Sequence, residues 1–111
     1  MIEKTILDYL NSKLSVAVYM EEPIKPPKSY VLIEKTGSGK RNHIYSAMFA
    51  VQSYGSSLLE AATLNESVKN AMESIVELDV IGSCSLNSDY NFTDTTTKRY
   101  RYQAVFDLIH Y

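Results

Sequence analysis

The sequence predicts an α+β fold, a mostly antiparallel sheet of four to five strands with one long and one short helix packed against one face. Three observations carry the prediction. Ser57 to Val76 holds a helical apolar seam behind an N-terminal cap signal. Two pairs of strand-like runs flank it, each pair joined by a polar link, which favours antiparallel hairpins. A chain of 111 residues has room for one core, so residues 1–111 are expected to form a single domain.

Ile2 to Leu14 reads as the short helix, with Ile2, Ile6, Leu10 and Leu14 on one side and Leu7 and Tyr9 widening it. At this length it depends on tertiary packing. Val16 to Met20 is an apolar run suited to an edge strand. Glu21-Glu22-Pro23 and Pro26-Pro27 then interrupt regular structure, because proline lacks the backbone donor and fixes φ. Glu21 to Lys28 is therefore expected to be an exposed connector. Ser29 to Thr36 is a strand with Val31 and Ile33 on one face and Tyr30, Leu32 and Glu34 on the other. Gly37-Ser38-Gly39-Lys40-Arg41-Asn42 reads as a flexible basic loop. Ile44 to Tyr54 is the longest strand, with Tyr45, Ala47, Phe49 and Val51 alternating against Ile44, Ser46, Met48, Ala50 and Gln52. Apolar residues on both faces imply a central strand, or one whose outer face meets another subunit.

Gly55-Ser56 turns the chain into the long helix, where Ser57 and Glu60 have capping-box spacing. Ala61, Leu64, Val68, Ala71 and Ile75 form a seam of about five turns, flanked by Leu58 and Met72. Asn65, Glu66, Lys69, Asn70 and Glu73 are expected on the solvated side. Leu78 to Leu86 is a weaker strand with Gly82 as a candidate bulge. Asn87 to Arg99 is polar and reads as the far end of a hairpin, although Tyr90 and Phe92 still alternate. Tyr100 to Tyr111 closes the domain as a strand. Tyr100, Tyr102, Ala104, Phe106 and Leu108 share one face, and Arg99, Arg101, Gln103 and Asp107 the other.

An apolar share of 45% and a charged share of 22% predict an ordered globular chain. A net charge of −2 provides no overall attraction to nucleic acid. No apolar run approaches the ~18 residues of a membrane span, and Met1-Ile2-Glu3-Lys4 does not open a secretory signal. The single Cys84 suits a reducing compartment. Nine tyrosines and no tryptophan suit half-buried sheet faces or protein contacts.

Chemistry is sparse. Gly37-Ser38-Gly39-Lys40 is not a phosphate loop: Glu34 stands where the first glycine belongs, Arg41 replaces the metal-binding hydroxyl, and a strand follows in place of a helix. Lys40, Arg41 and His43 could touch a phosphate backbone without reading sequence. His43, His110 and Cys84 are too dispersed for a zinc spacing. Cys84 with one of the histidines is the only pairing that could serve a nucleophilic enzyme, and its strand-like setting equally suits a small core residue. Glu21-Glu22 suits a solvated loop. Asp94 to Thr97 lacks the acidic stagger of a calcium loop and suits a hairpin tip. Arg99 and Arg101 beside aromatic residues resemble a single-stranded nucleic-acid platform. The tyrosines, however, share the face of Ala104 and Leu108, which points inward. No cofactor or metal is expected.

The order of elements resembles the phage tail-completion proteins, the tail-terminator and head–tail joining group of long-tailed phages and prophages. The resemblance runs from Pro26-Pro27 through Tyr30-Val31-Leu32-Ile33-Glu34 and the glycine loop. It continues along Phe49-Ala50-Val51-Gln52-Ser53-Tyr54-Gly55, the helix near Ala61 and the closing aromatic strand, so it covers nearly the whole chain as a pattern of elements. It implies an α+β subunit of the virion's head–tail junction, present in the host cytoplasm during assembly. Such subunits form a ring, commonly a hexamer, that caps the tail tube beneath the head connector, and they can stay monomeric until they meet the tube. Partners would be copies of itself and the tube and connector proteins, with DNA passing through unread and no membrane. No functional residue carries over by motif.

Strand patterning therefore supplies the candidates. Tyr45, Met48, Gln52, Tyr54, Arg99, Arg101 and Gln103 are expected to meet neighbouring subunits or the tube. Ser38, Lys40, Arg41 and Asn42 in one loop, and Asp94 and Lys98 in the other, are expected to reach along the ring axis. The competing expectation is a small ligand-binding or regulatory module with a pocket between helix and strands.

Overall fold

The computed structural model describes residues 1–111. In chain order the elements are α1 (Ile2–Lys13), β1 (Val18–Tyr19), β2 (Tyr30–Arg41), β3 (Ile44–Gly55), α2 (Leu58–Glu73), a 3-10 turn (Ile75–Glu77), β4 (Ile81–Asn91) and β5 (Tyr100–His110). The five strands form one sheet in the order β1-β2-β3-β5-β4. Only the two-residue β1 runs parallel to its neighbour; β2–β3, β3–β5 and β5–β4 are antiparallel. The α+β class and the pairing of one long helix with one short one are as the sequence predicts.

The core lies between the sheet and the helices. Ala47, Phe49 and Val51 stand opposite Leu108, Phe106 and Ala104 across β3–β5. The period-2 alternation of strands sends all six side chains to one side. There they join Ile6 and Leu10 of α1, Val68 and Met72 of α2, and Ile75 in one buried cluster. Each Val, Leu, Ile, Phe or Met side chain taken from water there contributes about 1.5–3 kcal/mol before entropy is counted, and the alanines less.

The cap of α2 differs in one detail from its expected form. Ser57 Oγ accepts from the Glu60 backbone N–H at 3.1 Å, worth about 1 kcal/mol. The Glu60 carboxylate does not return to Ser57. It accepts instead from the hydroxyls of Ser56 and Ser29, which ties the helix start to the residue preceding β2. The buried stripe of α2 is Ala61, Asn65, Val68 and Met72. Asn65 thus leaves the solvated side expected of it: it is 1% exposed, and its amide donates to Asp89 on β4 at 3.0 Å. An asparagine can occupy a core-facing position when a carboxylate on the sheet takes its donor.

Two expected loops are strands. Residues Gly37–Arg41 continue β2, paired with Ile44–Met48, and the chain reverses at Asn42 and His43 alone. Both have positive φ, 52° and 65°, as a two-residue hairpin turn matching the sheet twist requires. Once that turn sets the register, the ladder runs unbroken past two glycines, apart from a one-residue shift between Lys35 and Gly37. Asn87–Asn91 likewise belongs to β4, leaving Phe92–Arg99 as the tip. The register shift between Ile81 and Ser83 is the bulge expected at Gly82. The two reversals lie at opposite ends of a body 45 Å long and about 25 Å across, since Ile44 begins β3 and Gly55, opposite Tyr100, ends it.

Candidate interface on the open face of the sheet

The helices pack on one face of the sheet, and the other carries a connected surface of aromatic, arginine and glutamine side chains. Even-numbered residues of β3 point there, and antiparallel pairing sets Gln52 opposite Gln103 and Tyr54 opposite Arg101. On the neighbouring strand Tyr30 stands opposite Tyr54. The two rings stack at 4.5 Å with planes 3° apart, and Tyr19 meets Tyr30 edge-on at 6.0 Å.

Two hydrogen-bonded sets make up the group, joined by the Tyr30–Tyr54 stack and by Arg99 over the Tyr54 ring. Gln103 donates to the Tyr90 hydroxyl at 2.6 Å and accepts from Gln52 at 2.9 Å. Gln52 in turn accepts from the Tyr54 hydroxyl at 3.1 Å, which itself accepts from Arg101 at 3.0 Å. The Arg101 guanidinium lies 4.4 Å from the Phe92 ring centre, and that of Arg99 lies 4.9 Å from the Tyr54 ring. Arg99 also donates to Glu22 and to the Tyr30 hydroxyl, and Tyr30 donates to Glu22 at 2.7 Å. The proline-flanked connector, expected to be merely solvated, thus anchors the sheet through Glu22. Only tertiary contact brings residue 22 to residue 99, so no local signal announces it.

Five of the seven predicted interface residues, Gln52, Tyr54, Arg99, Arg101 and Gln103, therefore sit in one network. Tyr54 and Gln103 are 5% and 9% exposed, because their neighbours on the same face cover them. They position the guanidinium groups more than they present surface themselves. Met48 is on this face nearer the Asn42 end, and it is exposed. Tyr45 is on the opposite face, stacked against His110 at 5.3 Å with Lys40 5.2 Å from its ring. Of the predicted loop residues, Ser38, Lys40 and Arg41 are in β2 and Asn42 is in the turn. Asp94 and Lys98 are in the other tip, where Asp94 accepts from the backbone N–H groups of Thr96 and Thr97.

Hydrogen bonds from Arg99 and then Tyr30 hold the Glu22 carboxyl below its ordinary value of 4.5, and burial pushes the Tyr30 phenol well above its own. Because Glu22 is depressed in the fold, its stabilisation is present above pH 4.5 and is lost as pH falls through the lower folded value. The pair is about two-fifths exposed, so the contribution is modest. Thermal melts should therefore separate wild type from Arg99→Ala more at pH 7 than at pH 3. An equal gap at both would remove the ion pair from the account.

Away from this face, Cys84 lines a groove of about 400 Å³ between α2 and β4 with Met72, Leu86 and Phe106. Burial, then the charge of Asp107, pushes its thiol up to about 11, opposite to the direction that prepares a nucleophile. No three His, Cys, Asp or Glu side chains gather to hold a metal ion, and no helix is long and apolar enough to cross a membrane. No family model matches the chain, and neither does any curated protein.

Proposed function

We propose that this chain is a structural subunit of a phage or prophage head–tail junction, a tail terminator that assembles into a ring, commonly of six, capping the tail tube. Its partners on this reading are its own copies, the tube and the head connector, with DNA crossing the ring unread. The chain performs no bond chemistry and belongs in the virion, after assembly in the host cytoplasm. The observation that carries the reading is the open sheet face. Tyrosine and arginine are the residue types that concentrate binding energy at protein interfaces, and here they are held in place before any partner arrives. Exposed Ile44, Met48 and Ile109 extend the same sheet with apolar surface toward the Asn42 end. The elongated body, with a reversal at each end, also suits a subunit that meets one partner above and another below.

Light scattering across protein concentration, alone and with tail tubes, tests the reading. Wild type should rise above the 12.6 kDa of one chain, at the latest when tubes are added. Met48→Asp puts a charge into the apolar part of the contact and should weaken assembly at least about tenfold, or 1.4 kcal/mol. Its melting temperature should hold, because Met48 is exposed. The groove between α2 and β4 favours the second reading, a ligand-binding module. A mass independent of concentration and of tubes, with a small molecule seated against Phe106 and Met72, would establish that one instead.

A further inference from the structure

We propose that copies of this chain join edge to edge, β4 of one subunit adding to β2 of the next so that the sheet continues from copy to copy. The inference rests on the assembly reading above and adds, beside the open face, the edges through which neighbouring copies would meet. Both outer edges of the sheet are open. β1 covers only Val31 and Leu32 of β2, leaving Ile33–Arg41 without a partner strand on that side. β4 is the terminal strand at the other edge over its full 11 residues. Among backbone hydrogen bonds outside the strand pairs, none reaches Ile33–Arg41, and only the Ile81 N–H, bonded to Leu78, is engaged on β4. Unpaired edges of this length are templates for another strand.

Strand direction selects which edges meet. From β2 through β3 and β5 to β4 the direction alternates, so β2 and β4 run opposite ways. Rotation about an axis along the strands, as in a ring, leaves those directions unchanged. The β4 edge of one copy therefore meets the β2 edge of the next in antiparallel fashion, through two different patches, as a ring requires. Charge points the same way. The free part of β2 carries Lys35, Lys40 and Arg41 against the single Glu34, a net positive charge that disfavours pairing with a second β2, whereas β4 has no cation and its one carboxylate, Asp89, is held by Lys69 and Asn65. Side-chain faces also agree. Gly37 pairs with Met48, Met48 with Asp107 and Asp107 with Ser85, so Gly37 and Ser85 are level with each other on the open face.

The test is a disulfide between those two positions in full-length protein. Gly37→Cys and Ser85→Cys are combined with Cys84→Ser, and the protein is oxidised at high concentration. Gly37 has open space for a side chain, and Ser85 is exposed. Within one copy the two positions are three strand spacings apart, about 14 Å, too far to bridge. Expected is a non-reducing ladder of dimers, trimers and larger species that needs both cysteines. Absence of the ladder overturns edge pairing, as does a dimer formed by Ser85→Cys alone as efficiently as by the pair, which would mean β4 meeting β4. Wild-type hydrogen exchange supplies a readout independent of the variants. Residues 33–41 and 81–91 should both gain protection as concentration rises. Rings seen by light scattering without that gain would leave the assembly reading standing and remove this one.

Discussion

Phe49→Ala should destabilise the domain by about 3–5 kcal/mol, whereas Met48→Ala, one residue earlier in the same strand, should cost under about 1 kcal/mol. Phe49 is fully buried opposite Phe106, in the core cluster that includes side chains of both helices. Truncation removes its transfer free energy and leaves a cavity that a strand held on both sides cannot close. Against the ~5–15 kcal/mol that typically separates folded from unfolded domains, such a loss leaves the variant marginal or unfolded. Met48 projects to the open face and is 37% exposed. Urea unfolding of both variants measures the contrast. Similar midpoints would mean that the open face is as tightly packed as the helical one, and would remove the distinction between core and interface.

Gly55→Ala should destabilise by about 1–3 kcal/mol or more, the cost of overpacking a tight site. A side chain there would stand 2.6 Å from the backbone nitrogen of Ala61 and 3.0 Å from the carbonyl carbon of Glu60. These are helix backbone atoms that cannot swing aside. The cause is close approach and not conformation, since no glycine of the chain has positive φ. Gly37→Ala provides the internal comparison. Nothing lies within 4 Å of its added carbon, so the smaller entropy of the unfolded chain should leave it neutral or stabilised by up to about 1 kcal/mol. Urea midpoints at unchanged slope report both. If Gly55→Ala were neutral, the start of α2 would be free to move away from the end of β3, and the tie from Glu60 to Ser29 would not be holding it.

The candidate surface was legible residue by residue but not as a group. Alternation along β5 separates Arg101 and Gln103 from Ala104, Phe106 and Leu108, with Arg99 just before it in the same phase, and β3 does the same for Gln52 and Met48. Alternation records which side of a strand a residue takes. It carries nothing about which strand lies alongside, and so could not join Gln52 to Gln103 or Tyr30 to Tyr54. Tyr45 shows the limit of such reasoning, because it shares the face of Phe49 yet lies far enough along the strand to be 37% exposed. Gly37–Arg41 shows another. Glycine and charge are local markers of loops, but a turn at Asn42-His43 and a well-patterned partner strand hold these residues in the ladder.

The sequence by itself determined the α+β class, the order of the elements, the Ser57 cap, the bulge at Gly82 and the inward set of apolar side chains. All of these follow from periodicity and backbone preference within a few residues. Only the tertiary structure decided the strand order β1-β2-β3-β5-β4, the two open edges, the inward turn of Asn65 and the joining of Glu22 to Arg99. Each of these depends on partners from 24 to 77 residues away or on which strands become neighbours. Such contacts form only when the whole core closes, because no short segment can offset the entropy of holding them alone.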